Sequence, residues 1–216
     1  MTMTIKHHIS DALLMGYAAG QLPEAFSLVV ATHLSLCDDC RARFAGYEAV
    51  GGAVMECAGA VAMSEHSLAA TMARIRSAPA PVSRDAPRRM GIFPAPLAAM
   101  VGGGPEAVKW RSIGMGVRQA ILPTENGARA RLLHIAAGQK VPDHGHRGME
   151  LTLVLQGAFR DETDRFGPGD LEIADEDLHH QPIAEAGEDC ICLAATDAPL
   201  RFNGLAARLA QPFLRI

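Results

Sequence analysis

His33 precedes Cys37 by four residues, and Cys40 follows three later, in the stretch HLSLCDDC. Imidazole and thiolate are the donors a structural zinc prefers, and such a site takes four of them at tetrahedral angles. A Cys-x-x-Cys pair has two other ordinary readings, a redox dithiol and chance packing. A thioredoxin-like pair follows a buried strand and opens the helix of a βαβ unit, whereas this pair lies between two expected helices. Zinc is therefore the leading reading, with His33, Cys37 and Cys40 as three ligands and a fourth supplied from elsewhere. His8, just ahead of the first helix, is the preferred fourth ligand and His7 the second choice; Cys57 and His66 are substitutes on the other side of the third helix.

A second set stands at His144, His146 and Glu150. Histidines two apart on a strand share a face, and a carboxylate four residues on can return to that face after the Arg147–Met149 bend. A closing histidine is expected from His179 or His180, only one of which can point inward. The spacing from Gly169 and Asp170 and the following Gln181-Pro182 favour His180. Three imidazoles and a carboxylate suit Zn, Mn, Fe or Ni; a divalent metal is expected here, zinc by preference. Cys190 and Cys192 are expected as small buried thiols, His134 as a strand residue, and Arg129 and Arg131 as cover for a sheet face unless they meet an acidic ligand.

These ligands need elements to hold them. Ser10 can cap a helix carrying Leu13, Leu14 and Tyr17 that ends at Gly20. Pro23 suits the first turn of a second, with Phe26, Val29, Val30 and Leu34 near one face. A third runs on from Cys40 with Phe44, Tyr47 and Val50 in register, weakened by Gly51, Gly52 and Gly59. Ser64 and Glu65 can begin a last helix in which Leu68, Met72 and Ile75 form an apolar stripe. That stripe is either core or a partner-binding face, because so small a helical unit has little core in which to hide it. Residues 77–94 hold Pro79, Pro81, Pro87 and Pro94 and read as a linker. Beyond it, RARLLHIAAGQ, LTLVLQGAF and CICLAA read as short strands of a sandwich or barrel. The expected class is α+β multidomain: a zinc-binding helical bundle over residues 1–76, the linker, and an all-β barrel over 95–216.

The net charge of −4 is spread along the chain, so no basic face for nucleic acid is expected. No apolar run nears the roughly 18 residues of a membrane span. The start has no apolar core of signal-peptide length, and a cytoplasmic protein with free thiols is expected.

His8, the segment ISDALLMGYAAGQL and HLSLCDDC together resemble the zinc-binding anti-sigma family, whose pattern is an upstream His or Cys followed by His-x3-Cys-x2-Cys. The resemblance covers residues 1–75. It implies a helical domain that clamps an extracytoplasmic-function sigma factor and keeps it from RNA polymerase, with Leu68, Met72 and Ile75 as candidate contact residues. Gly138–Gly157 satisfies Gly-x5-His-x-His-x3-Glu-x6-Gly and resembles the cupin family over residues 95–195, which implies a small antiparallel barrel with a metal in its mouth. The second cupin motif departs from the pattern: Ala174, Asp175, Glu176 and Asp177 stand where proline and glycine are usual. The two modules in this order resemble the ChrR-like family of anti-sigma factors. That resemblance implies a regulator rather than an enzyme, releasing its sigma factor under oxidative stress, singlet oxygen in particular, through the cupin. The competing expectation is a metal-dependent cupin enzyme of oxygenase type with a zinc-stabilised attachment; no residue stands out as its general acid or base.

Overall fold

The computed structural model describes residues 4–79, 88–125 and 127–202. Positions 80–87 of the expected linker and 203–216 of the expected barrel domain lie outside the described residues. The class is as the sequence indicates, helices first and an antiparallel β-domain after them.

Helix α1 (Asp11–Ala18) is capped by Ser10, whose Oγ accepts from the Leu13 N–H at 3.4 Å. Helix α2 (Glu24–Leu34) follows Pro23, which is extended and so sits just outside the first turn. Helix α3 (Asp38–Glu56) starts two residues before Cys40, because the Cys37 sulfur is itself the cap and accepts from the Cys40 N–H at 3.5 Å. Helix α4 (Ser67–Ser77) starts later than Ser64, whose hydroxyl instead bonds that of Ser67 at 2.8 Å. A further helix, α5 (Ala95–Val101), enters through Pro94 and ends at Gly102, whose φ of 76° closes the turn. Among the described residues no helix is long and apolar enough to cross a membrane.

The strands are β1 (Arg111–Gly114), β2 (Val117–Ile121), β3 (Arg129–Ile135), β4 (His144–Gly145), β5 (Glu150–Gln156), β6 (Phe159–Arg160), β7 (Arg165–Phe166), β8 (Leu171–Ala174), β9 (His179–His180), β10 (Ile183–Ala184), β11 (Cys190–Thr196) and β12 (Arg201–Phe202). They form a six-stranded sheet in the order β1-β2-β3-β11-β5-β8 and two three-stranded sheets, β10-β6-β7 and β12-β4-β9. Each pairing is antiparallel.

The central strands β5 and β11 of the large sheet are buried on both faces, whereas β1 at its edge is largely exposed. Leu132, Leu151, Leu153 and Leu193 belong to one core together with Leu14, Phe26, Val29 and Val30, so the first two helices and the sheet share an apolar layer. Helix α2 lies on β3, β5 and β11. Each fully buried leucine there contributes about 1.5–3 kcal/mol. Residues of opposite parity, Ile135, Val154, Cys190 and Cys192, form a second cluster inside the barrel with Phe159 and Phe166. The strap ahead of α1 is also tied to the barrel: the Leu171 N–H donates to the His7 carbonyl at 3.2 Å. Gly169 permits this approach, since its φ is 90° and a Cβ there would lie 2.7 Å from the Ile5 side chain.

Candidate metal centres

The strap places His8 over the turn between α2 and α3. Its Nδ1 is 3.3 Å from the Cys37 sulfur and 3.6 Å from that of Cys40. His33, at the end of α2, completes a group whose ligand atoms lie within 4.8 Å of one another. Zinc bonds of roughly 2.0–2.3 Å at tetrahedral angles space their donors about 3.3–3.8 Å apart, which the two His8 distances match. His33 is fully buried, and among the described residues neither ring nitrogen makes a hydrogen bond of good geometry. Such orphaned nitrogens are costly unless something else binds them, and the N2S2 donor set is what zinc takes. Burial, with His8 nearby, lowers the His33 pKa to about 4, keeping the ring neutral with a free lone pair.

His7 points elsewhere, its Nε2 lying 3.1 Å from Asp164 and its ring 4.3 Å from that of Phe166. Cys57 and His66 are exposed. Arg43, which the sequence did not single out, lies one turn beyond Cys40. Its guanidinium donates to the Ile9 carbonyl at 3.1 Å and reaches the Cys40 sulfur at 4.0 Å, and it pairs with Asp11. Its spacing of three from Cys40 on one helix was the available signal.

In the barrel, β4 and β9 pair His144 with His180. His180 Nε2 is 3.2 Å from His144 Nε2 and 3.3 Å from His146 Nε2. All three rings are buried, whereas His179 is exposed. Burial lowers the pKa of His144, and that of His146 to about 4. His144 Nδ1 lies 2.8 Å from the Pro142 carbonyl, a contact that fixes the tautomer with Nε2 free for an ion. Glu150 opens β5, its Oε2 3.9 Å from His146 Nδ1 and its Oε1 accepting from Thr152 Oγ1 at 3.0 Å. The structure thus gathers three imidazoles tightly, with the Glu150 carboxylate at their edge.

Behind His180 stands a pair of carboxylates that no sequence motif marks. His180 Nδ1 is 2.7 Å from Asp161 Oδ2 and 3.1 Å from Glu172 Oε1. Burial alone would lower the His180 pKa, but Glu172 and Asp161 outweigh it and hold the ring at about 9. Burial lifts Glu172 to about 7 despite His180, and Asp161 also raises it. Asp161 lies below its usual range, because hydrogen bonds from Glu172, Thr163 and His180 overcome its burial. This arrangement orients the His180 ring and directs Nε2 at the other two imidazoles.

The stripe Leu68, Met72 and Ile75 lies on α4, which buries no side chain. Leu68 is 75% exposed and Ile75 63%. Val50, Val54 and Met55 on α3 and Val61 and Met63 after it are exposed as well.

Residues 99–199 match the family described as "ChrR Cupin-like domain". The chain is 66% identical to Anti-sigma-E factor ChrR of Cereibacter sphaeroides, an alignment spanning 99% of this chain and 100% of that protein. Among solved structures, it is similar to that of Rhodobacter sphaeroides SigE in complex with the anti-sigma ChrR, at 64% identity and a TM-score of 0.79, covering 90% of this chain and 100% of that one. With two histidine-centred clusters in the order the family implies and two thirds identity from end to end, the chain belongs to the ChrR family of anti-sigma factors, regulators rather than enzymes.

Proposed function

We propose that this protein is a cytoplasmic anti-sigma factor that sequesters an extracytoplasmic-function sigma factor through its helical zinc domain, residues 1–76, and releases it on an oxidative signal of the singlet-oxygen type that requires the cupin. The observation that carries the first part is the run from Glu48 to Pro79, in which every residue but Ser67 is exposed although the run holds Leu68, Met72, Ile75, Val54 and Met55. So many large apolar side chains left in solvent along one run are kept for a partner. Inhibition is by occupancy: sigma held on α3 and α4 is denied to the polymerase core. The relative of known structure was solved with SigE bound.

Zinc held by His8, His33, Cys37 and Cys40 would fix the α2–α3 junction from which α3 projects. A divalent ion, zinc by preference, held by His144, His146, His180 and Glu150 would make the barrel the signal-receiving part. Residues 77–94 join the two. The test is promoter-dependent transcription by polymerase and a candidate extracytoplasmic-function sigma factor, titrated with the purified chain. Inhibition that saturates at equimolar chain is expected; failure to bind any such sigma factor defeats the reading.

A further inference from the structure

The inner face of the sheet carries buried polar groups among apolar ones. Arg131, Leu133 and Ile135 point into the barrel, while Ala130 and Leu132 on the same strand belong to the core shared with the helices. The register sets Arg131 opposite Ala194, and Ala194 opposite Thr152. The short alanine side chain leaves room between them, and a cavity of about 470 Å³ opens there, reaching from Arg131, Glu150 and the histidines to an apolar far end. That volume falls within the roughly 300–1,000 Å³ of small-molecule sites.

Arg131 is the unusual member. Only 5% of it is exposed, and among the described residues its buried Nε has no hydrogen-bond partner. A guanidinium in such a place is costly unless a complementary acceptor reaches it. Glu150 is the nearby protein carboxylate that offsets its charge, but Glu150 is engaged by Thr152 and stands beside the histidines. Arg131 lines the cavity beside Glu150 and Thr152 and is the cation an incoming anion would meet, and an apolar tail has Val117, Leu133, Ile135, Val141 and Phe159 to lie against.

We propose that the barrel cavity binds a small free carboxylate with an apolar tail, its head group paired with Arg131 and its tail laid along the aliphatic wall. The inference gives a ligand class to the barrel read above as signal-receiving, and it rests on that reading for its purpose though not for its binding test. Planar, bidentate pairing is what distinguishes arginine from lysine as a carboxylate partner.

The test is calorimetric titration of the zinc-loaded full chain with decanoate, decanol and butyrate. Decanoate is expected to bind at least about tenfold tighter than decanol, which lacks the charge, and than butyrate, which lacks the tail. Arg131→Met should erase the preference over decanol while metal content by elemental analysis is unchanged. Arg131→Lys, which keeps the charge, should retain a weaker preference, and Ala194→Leu should weaken both long-chain probes by filling the floor. No binding of decanoate, equal binding of decanoate and decanol, or discrimination that survives Arg131→Met would overturn the proposal. A chain that ignores decanoate yet still inhibits sigma-dependent transcription sinks this inference alone, leaving the sigma-binding reading intact.

Discussion

The carboxylate of Asp170 accepts the backbone N–H of His7 at 2.9 Å, joining residues 163 apart, and that of Lys6 at 2.6 Å through the same oxygen. Its other oxygen accepts the Gly167 N–H at 2.8 Å. One buried side chain of the β-domain thus holds the strap that delivers His8 to the cysteines. Two residues further on, Glu172 holds His180. The β7–β8 turn and the start of β8 therefore touch the surroundings of both candidate centres.

Asp170→Ala leaves three backbone donors without their acceptor and should destabilise the protein by about 2–4 kcal/mol, read from denaturant midpoints. Burial works to raise the Asp170 pKa, but the N–H groups of Gly167, His7 and Lys6 outweigh it and hold the carboxyl below its usual range. A depressed folded-state pKa means the stabilisation is full above the unfolded value of about 3.9 and is lost as pH falls through the folded one. Asp170→Asn should therefore show a shallower loss of stability below pH ~4 than the parent; parallel acid limbs would remove Asp170 from the linkage.

The two histidine clusters were legible because their spacing is local: His33, Cys37 and Cys40 span one helix junction, and His144, His146 and Glu150 one strand and bend. The carboxylates behind His180 were not, since Asp161 and Glu172 lie 19 and 8 residues from it on a turn and an edge strand with no spacing to mark them, and Asp170, though part of the second motif, gives no sign that it grips a strap 163 residues away. LTLVLQGAF was legible as a strand, but not that both of its faces are buried. The cover on the outer face comes from α2, more than a hundred residues upstream in the chain, and strand periodicity carries no trace of it. Helix starts drifted by two or three residues, because Cys37 caps through sulfur and Ser64 spends its hydroxyl on Ser67.

Elemental analysis separates the centres. His33→Ala should lose one metal equivalent per chain and His144→Ala a different one, each leaving the other in place. Structural zinc contributes on the order of 10 kcal/mol, so His33→Ala should also loosen α1 to α3, visible as lost helical circular dichroism. Unchanged metal content in both variants would remove the basis for two ions.

Asp161→Asn and Glu172→Gln should each weaken metal retention in the barrel about 10- to 100-fold in chelator competition, the range for partners that orient a ligating histidine. Zinc at His8, His33, Cys37 and Cys40 should be untouched. Equal losses at both centres would mean general unfolding rather than misorientation of His180.

Leu68→Asp and Ile75→Asp test the exposed face. These side chains are mostly in solvent, so the stability of the free protein should change by no more than about 0.5 kcal/mol. Sigma binding should fall about 30-fold or more if either is a contact hot spot. Unaltered inhibition in both variants, and in Val54→Asp on α3, would place the sigma surface elsewhere.

The division of labour can be tested by cutting the chain after residue 85. Such a fragment holds His8, His33, Cys37, Cys40 and the whole exposed face, so it should bind zinc and inhibit sigma unaided. It also strips α2 of the sheet it lies on, exposing part of the core shared with Leu132, Leu151 and Leu193. Its own core offers only about 3–5 kcal/mol, which leaves zinc as the main source of its stability. The fragment should therefore melt well below the full chain and unfold entirely with chelator, while the full chain under the same chelator keeps the strand signal of its barrel. If the fragment folds with zinc but cannot bind sigma when the full chain can, residues 1–76 are not a sufficient clamp, and the sheet beneath α2 is part of it.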